Sequence, residues 1–441
     1  MEQELVRQLL DFLDASPSCY HAVETIAREL TEGGFTELSE GERWTLERGG
    51  RYFVRRNLST ILAFRIPREE IRGVQIAASH SDSPAFKLKE NMDIVRDGAY
   101  TELNVEKYGG MLCAPWFDRP LSVAGKVVVC REGRLESRLV NLDRDLLMIP
   151  NLAIHMNRSV NDGYAYSAQR DMLPLLGDET AKGKLMELVA QAAGVAREEI
   201  LGSDLFLYCR SRGTVWGAGG EYLSSPKLDD LQCTFANLKG FLAAGENPHA
   251  LSVYAVFDNE EVGSTTKQGA ASTVLLDTLT SINECLGRSR EDYLRMLACG
   301  FMVSADNAHA VHPNHLDAAD PTNHPHMNRG IVLKFSANQK YGTDSVSAAL
   351  FRELCRRADV PTQVFHNHSD ILGGSTLGNL SNAQVSLNMV DIGLPQLAMH
   401  SPYETAGARD TAYLVRAMEV FFNSYLQDEG QGAYTLHTCR V

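Results

Sequence analysis

Apolar residues recur along this chain with two periodicities, one typical of helices and one typical of strands. Apolar residues recur at helical spacing across residues 3–31, and a Ser-Pro-Ser triplet at residues 16–18 interrupts them. This pattern predicts two helices. Residues 71–80 (IRGVQIAASH) are mostly apolar and predict a buried strand. The chain is therefore expected to begin with two helices and to continue into a sheet.

In the second half of the chain, segments with strand periodicity alternate with segments with helix periodicity. Strands are predicted at residues 250–257, 301–305, 362–366 and 386–392; helices are predicted at 229–242, between 266 and 297, at 345–358 and at 410–426. The stretch DEGQGAY near the C-terminus is expected to be a surface loop. Such alternation predicts the α/β class, with a mixed β-sheet covered by helices.

The middle of the chain has a different residue pattern. Residues 88–222 contain paired glycines, the β-rich run GKVVVC and one clear helical stretch near 182–192. Since 441 residues exceed what one core usually organises, more than one domain is expected. We predict an inserted β-rich domain at 88–222 and a discontinuous catalytic domain formed by 1–87 and 223–441.

Composition excludes several classes of function. The formal net charge of -14, without a compensating Lys/Arg block, disfavours nucleic acid and anionic lipid as partners. No apolar run approaches the roughly 20 residues of a membrane span. The nine cysteines form no CxxC pair, and the acidic N-terminus lacks the features of a secretory signal. A soluble protein with reduced thiols is expected, and the cytoplasm is its expected compartment.

Seven residues with metal-binding or acid–base side chains lie in short, separate stretches. They are His80 and Asp82 (ASHSDSPAFK), Asp229 (PKLDDLQC), Glu260 and Glu261 (FDNEEVGS), Asp306 (SADNAHAVHPN) and His400 (QLAMHS). A two-zinc hydrolase needs nitrogen and oxygen ligands, a carboxylate that bridges the metals and a free carboxylate that takes a proton from water. The set contains every one of these parts.

The first members of the set can be given roles from their chemistry. His80 is expected to bind zinc, while Asp82, two residues on, hydrogen-bonds the imidazole and fixes its tautomer. Asp229, at the start of a predicted helix, is the expected bridge, and the helix dipole favours its charge. Asp230 is the competing bridge.

The remaining members follow predicted strands. Glu261 is expected to bind metal and Glu260 to face the water as general base. Asp306 and His400 complete the ligand set. Taken alone, a histidine at a strand end is more often a hydrogen-bonded core residue, and a Glu-Glu pair is usually solvated. Because all seven residues occur together in this order, metal binding is much the stronger interpretation.

These residues and their surroundings resemble the aspartyl aminopeptidases, a branch of the dizinc aminopeptidases. The resemblance rests on SPSCYHAVE, HSDSPAFKLK, YGGMLCAPWFDRPLSVAGKV, MIPNLAIHMNR, KLDDLQC, FDNEEVGS, DNAHAVHPN, KFSANQKY and LPQLAMHS. It implies two divalent metal ions per subunit, most naturally zinc, although oxygen-rich ligation also tolerates manganese or cobalt. The implied ligands are His80, Asp229, Glu261, Asp306 and His400, with Asp229 as the bridge and Glu260 as the base.

The resemblance also implies that the inserted domain mediates dimerisation and that dimers form a homo-oligomer of twelve subunits. His155 would then contact substrate in the partner's active site, although it could equally bind metal or be an inert loop residue. Lys334 is our candidate for recognising an acidic side chain; the plain alternative is a solvated lysine. His309 and His312 are expected to touch substrate, against the alternative of a histidine-rich surface loop.

The predicted function is therefore removal of N-terminal Asp or Glu from peptide substrates by a metal-activated water. One alternative is an aminopeptidase of different side-chain preference or an N-acyl amino acid hydrolase with the same chemistry. An alternative of another class is a non-catalytic oligomeric scaffold, which the intact ligand set and base disfavour.

Overall fold

A computed structural model describes residues 2–371 and 373–439. Both N-terminal helices predicted from the sequence are present, and most of the later helices lie within a few residues of their predicted bounds. The α-helices in the described residues are α1 (Glu2–Asp14), α2 (Cys19–Glu32), α3 (Ala168–Asp171), α4 (Lys184–Ala193), α5 (Leu228–Ala243), α6 (Val274–Cys285), α7 (Arg290–Ala298), α8 (Ser345–Arg357), α9 (Leu377–Gln384) and α10 (Asp410–Phe422).

The largest sheet has nine strands and carries several of the residues predicted to bind metal. In spatial order it contains β1 (Thr36–Leu38), β2 (Arg51–Arg56), β3 (Thr60–Arg65), β13 (Ala250–Phe257), β4 (Gly73–His80), β14 (Phe301–Ala305), β18 (Asn388–Gly393), β16 (Ile331–Lys334) and β17 (Thr362–Phe365). The central strands β13, β4, β14 and β18 are parallel. Strand β3 runs antiparallel to both of its neighbours, and β16 runs antiparallel to β18 but parallel to β17. The sheet is mixed, as predicted.

Helices cover both faces of this sheet and bury two apolar clusters. On one face α1, α2, α5, α8 and α10 contribute residues such as Leu9, Phe241 and Phe421. On the other face α6, α7 and α9 contribute Leu279 and Leu377, among others. Strands β4 and β13 are buried along their whole length, which explains their continuous apolar sequences.

A second, six-stranded sheet has its own apolar core. Its spatial order is β8 (Arg134–Asn141), β7 (Leu121–Arg131), β10 (Ile200–Cys209), β5 (Ala85–Arg96), β6 (Tyr100–Tyr108) and β9 (Leu175–Asp178), all antiparallel. Its core includes Phe86, Leu121 and Leu205 and is separate from the clusters on the nine-stranded sheet. The sheet falls within the stretch where the inserted domain is predicted, apart from the first residues of β5.

A five-stranded sheet joins segments that are far apart in sequence. It contains β11 (Thr214–Trp216), β12 (Tyr222–Ser225), β20 (Glu404–Gly407), β19 (Pro395–Leu397) and β15 (Ala308–His309). The predicted domain boundary after residue 222 falls within β12. The domain limits remain a prediction.

Two local predictions were wrong. The terminal helix ends at Phe422 rather than continuing to 426, and DEGQGAY belongs to a hairpin of β21 (Ser424–Gly430) and β22 (Ala433–Thr438) rather than to a loop. Gly430 and Gly432 at the turn have positive φ angles of 80° and 79°, which glycine adopts readily. The hairpin is mostly exposed: β21 buries only Ser424 and Leu426, and β22 buries no residue, so the segment has no apolar alternation that would predict strands. None of the helices described is long and apolar enough to cross a bilayer.

Candidate metal centre

Three neighbouring parallel strands deliver metal-binding side chains to one edge of the nine-stranded sheet. His80 is the last residue of β4, Asp306 directly follows β14, and the turn Glu260–Val262 follows β13. The carboxyl ends of parallel strands meet at one edge of a sheet, where open α/β folds form their sites. The sequence-predicted residues of these three segments are therefore brought together.

Asp229 lies between the two histidines. His80 Nε2 is 3.5 Å from Asp229 Oδ1, and His400 Nε2 is 3.4 Å from Asp229 Oδ2. The His400 nitrogen is also 3.3 Å from Glu261 Oε2, and His80 Nε2 is 3.9 Å from Asp306 Oδ1. Each oxygen of Asp229 thus faces a different imidazole, which is the arrangement a bridging carboxylate requires.

The donor atoms form two overlapping groups of metal-binding size. His80, Asp229 and Glu261 form one group, and Asp229, Asp230 and Asp306 form the other, with ligand atoms within 4.8 Å of one another in each. Asp229 Oδ1 and Glu261 Oε1 are buried and have no hydrogen-bond partner among the described residues. Buried carboxylate oxygens are normally paired, and a divalent cation would pair these. Imidazole and carboxylate donors fit zinc.

Asp82 contacts more of the site than the imidazole alone. His80 Nδ1 lies 3.1 Å from the backbone oxygen of Asp82 and 3.4 Å from its Oδ1, so the main-chain carbonyl is the nearer acceptor. The carboxylate accepts the backbone N–H groups of Glu260 (3.1 Å) and Glu261 (3.2 Å). Asp82 therefore positions both glutamates, as well as flanking the histidine.

Asp230, the competing bridge, faces the other side of His80. Its Oδ2 accepts the backbone N–H of His80 at 3.1 Å, while its Oδ1 is buried without a described hydrogen-bond partner. Burial raises the pKa of Asp230 well above its ordinary value, and the negative charges of Asp306 and Asp229 add to this effect. Asp229 has the stronger geometry as a bridge because it alone belongs to both donor groups.

Glu260 is half-buried beside the ligand carboxylates. Burial raises the pKa of Glu260 to about 8; the charge of His80 opposes this rise, while Asp306 and Asp82 increase it. A cation in the centre would lower that pKa. The Glu260 carboxyl group thus lies in a setting that brings its pKa into the range useful for proton transfer near neutral pH.

The end of β6 reaches the metal centre from the six-stranded sheet. Tyr108 donates its hydroxyl hydrogen to Asp82 Oδ2 at 2.7 Å and accepts a hydrogen bond from Asn259 Nδ2 at 2.7 Å. At Gly109, whose φ is +77°, an added Cβ would lie 3.1 Å from the Cβ of Glu261. No role was predicted for Tyr108 or Gly109 from the sequence, although both lie in the motif YGG, where a glycine pair beside an aromatic residue is a signal for close backbone contact.

Lys334 is buried at the end of β16 rather than solvated. Its Nζ donates to the backbone oxygen of Asn307 at 2.8 Å and lies 3.6 Å from Asp306 Oδ2. Burial lowers the pKa of Lys334, but the surrounding negative charges, of which Asp306 contributes most, together outweigh burial and raise it. The ammonium group therefore lies in the wall of the metal centre.

His309 and His312 lie on the strand and loop that follow Asp306. Both are exposed, and both line a cavity of about 260 Å³ together with His366 and His368. This cavity is rich in imidazole groups, and the chain segment that follows Asp306 forms part of its lining.

His155 is not brought to the metal centre of its own chain by any contact in the described residues. It lies in an exposed turn of the six-stranded-sheet region, between Ile154 and Met156, which are 48% and 74% exposed. Exposed apolar residues next to a histidine fit a surface that another molecule covers.

Comparison with known proteins places this geometry in a family. The family model for "Aminopeptidase I zinc metalloprotease (M18)" matches residues 12–422. The chain belongs to the M18 family of zinc aminopeptidases. A "Probable M18 family aminopeptidase 2" of Clostridium acetobutylicum is 44% identical over 430 residues, covering 96% of this chain and 99% of that relative. The same-named protein of Pseudomonas syringae pv. syringae is 40% identical over 433 residues, with 96% and 99% covered.

Solved structures of M18 aminopeptidases share the fold. A chain in the cryo-EM structure of the Ape4 and Nbr1 complex superposes with a TM-score of 0.92 at 36% identity, covering 96% of this chain and 86% of that one. The S. cerevisiae mApe1 dodecamer gives 0.84 at 28% identity, covering 95% and 96%. The predicted fold class and the resemblance to this family are confirmed, and the protein is a zinc-dependent aminopeptidase.

Proposed function

We propose that this M18 aminopeptidase removes N-terminal Asp and Glu residues from peptides, with two divalent metal ions, most naturally zinc, in each subunit. The observation that carries the two-metal proposal is the position of Asp229, whose two oxygens face His80 and His400 separately. His80, Asp229, Glu261, Asp306 and His400 are the proposed ligands.

In the proposed reaction the protein's own groups move the proton. When bound, the metal ions would polarise the scissile carbonyl and lower the pKa of the attacking water. Glu260 accepts the proton of that water and then donates it to the leaving amine. Asp82 supports this step by holding the backbone N–H groups of Glu260 and Glu261.

Two features beside the proposed metal centre support a preference for acidic residues. Lys334 places a buried ammonium group 3.6 Å from Asp306, so a substrate carboxylate that reached this wall would share its charge. His309 and His312 line the neighbouring imidazole-rich cavity and can donate hydrogen bonds to carboxylate oxygens. In this proposal Lys334 contributes the charge, and the histidines contribute hydrogen bonds.

We further propose a homo-oligomer built from dimers, with twelve subunits as in the structure named the mApe1 dodecamer. The exposed turn containing His155 would then be covered by a second copy of the chain, and His155 would contact substrate in the partner's active site. Its apolar neighbours Leu152, Ile154 and Met156 support burial against another surface.

Release of the first residue from three matched peptides tests the specificity. The peptides begin with Asp, with Leu, or with N-acetyl-Asp and are otherwise identical. The proposal predicts zinc-dependent release that is fastest for the free Asp peptide and absent for the acetylated one. Faster cleavage of the Leu peptide would reject the acidic preference, while cleavage of the acetylated peptide would favour the N-acyl hydrolase.

A further inference from the structure

A buried carboxylate outside the proposed ligand set, Glu404, connects two of the ligands. Glu404 begins β20 and is 2% exposed. Its Oε1 accepts the backbone N–H of His400 at 2.8 Å, and its Oε2 accepts the backbone N–H of Asp229 at 3.0 Å. One side chain therefore binds the main chain of both residues whose side chains face each other across the metal centre.

The same carboxylate belongs to a buried network that extends to a third ligand. Gln396 Nε2 donates to Glu404 Oε1 at 3.4 Å, and Gln396 Oε1 accepts from Asn307 Nδ2 at 2.9 Å. Asn307 directly follows Asp306, and its Nδ2 also donates to Gln232 Oε1 at 2.9 Å. All four network side chains are at most 2% exposed. The main-chain segments of three ligands are thus joined through Glu404.

A carboxylate suits this position better than an amide. Two backbone N–H groups point at its two oxygens, and a glutamine could offer an acceptor to only one of them. Buried oxygens need donors, and three N–H groups meet the two oxygens of Glu404: the backbone N–H groups of His400 and Asp229 and the side-chain amide of Gln396. In addition, His400 has a φ of +66°, a conformation that non-glycine residues rarely adopt without support from their surroundings.

We propose that Glu404 is a positioning residue for the metal centre: it fixes the separation of Asp229 and His400 through their backbone N–H groups. The proposal rests on the ligand set given under the proposed function. Outer hydrogen-bond partners of metal ligands typically change metal affinity or activity by about 10- to 100-fold when they are substituted. Glu404 would influence metal affinity through the backbone N–H groups of the proposed metal ligands Asp229 and His400.

Asp410 provides a matched control in the same chain. It is also fully buried, and its Oδ2 and Oδ1 accept the backbone N–H groups of Asn328 (2.6 Å) and Gly330 (3.1 Å). Neither of those residues is a proposed metal ligand. A change to the amide removes the same kind of interaction at both positions, so any general cost to the fold is common to both.

The experiment compares Glu404→Gln with Asp410→Asn in the full-length protein. Zinc affinity is measured by competition with a chelator, and thermal stability and the kcat and KM for an Asp-first peptide at saturating zinc are measured beside it. We expect both variants to melt at lower temperature, but only Glu404→Gln to lose zinc affinity, by about 10- to 100-fold. Equal zinc affinity in the two variants would overturn the proposal.

If Glu404→Gln does not fold, Gln396→Leu tests the same proposal. This change removes one donor to Glu404 and the link to Asn307, and a reduced zinc affinity is expected from it; unchanged affinity would count against the network. Because zinc affinity is read without any peptide, the outcome is independent of the proposed substrate. If the wild-type chain bound zinc but did not cleave peptides, the proposed function would be wrong, and the role of Glu404 could still be tested by zinc affinity.

Discussion

The metal centre and the surfaces that would meet a peptide differ in how completely one chain builds them. His80 and Asp229 are 1% and 3% exposed, and their neighbours hold them through several hydrogen bonds. His155, His309 and His312 are exposed. The proposed metal ligands are thus held within a single chain, whereas the histidines proposed to meet the peptide lie on exposed surfaces.

The physical reason is the cost of burying charge. Carboxylates at the strand ends are tolerable only when donors or a cation pair with them, so each one must be held in place by the fold. Exposed imidazoles have no such requirement, because water satisfies them. Substitutions in the two regions should therefore have different signatures, and the following variants test that contrast.

The largest effect is expected at Glu260. Glu260→Gln removes the proton acceptor and should lower kcat by about 100- to 10,000-fold. Zinc content should stay near that of the wild type, because Glu260 is not a proposed ligand. Metal analysis beside steady-state kinetics checks both points, with Glu261→Gln as the control that should lose zinc. Loss of zinc from Glu260→Gln would show that the two roles are assigned the wrong way round.

A smaller but specific effect is expected at His155. His155→Phe should lower kcat by about 100-fold with normal zinc content, since it removes one polar contact to the reacting substrate. Mixing it with Glu260→Gln should restore part of the activity, because one subunit then supplies Glu260 and its partner supplies His155. Absence of restored activity in a demonstrated mixed assembly would contradict action on the partner's site.

Lys334 should affect selectivity more than overall rate. Lys334→Met removes the cation, and Asp-first peptides should lose about 10-fold or more in kcat/KM relative to Leu-first peptides. Lys126→Met is a suitable control, because Lys126 is another largely buried lysine, with its Nζ bonded to Asn57 at 2.9 Å. An equal loss on both peptides would instead indicate that Lys334 only supports Asp306.

The smallest effect is expected at Tyr108, where the six-stranded sheet touches the centre. Tyr108→Phe removes the hydroxyl that donates to Asp82 and should lower kcat by about 10-fold with little change in KM. Tyr208→Phe is the matched control, since the Tyr208 hydroxyl donates to Asn141 within the six-stranded sheet. If both variants kept full kcat, the contact between the sheet and the centre would have no catalytic consequence.

Sequence reasoning succeeded where chemistry restricts the choice of residue. Continuous apolar runs predicted β4 and β13, and the polar residues after them lie together at the edge of the sheet where the metal centre is proposed. Tyr108 and Glu404 were not assigned roles, because accepting or donating a hydrogen bond across the fold leaves no periodic signal. For the same reason the burial of Lys334 was not foreseen: its surroundings come from Asp306 and Asn307, in the link between β14 and β15.

The central claim is that one chain holds two metal ions and needs both for catalysis, and a zinc titration tests it most directly. Chelator-stripped protein receives zinc in steps while the release of Asp from an Asp-first peptide is followed beside bound zinc. We expect two bound zinc ions per chain, with full activity reached only when the second is bound. Full activity at one zinc per chain, or activity that persists in excess chelator, would contradict it.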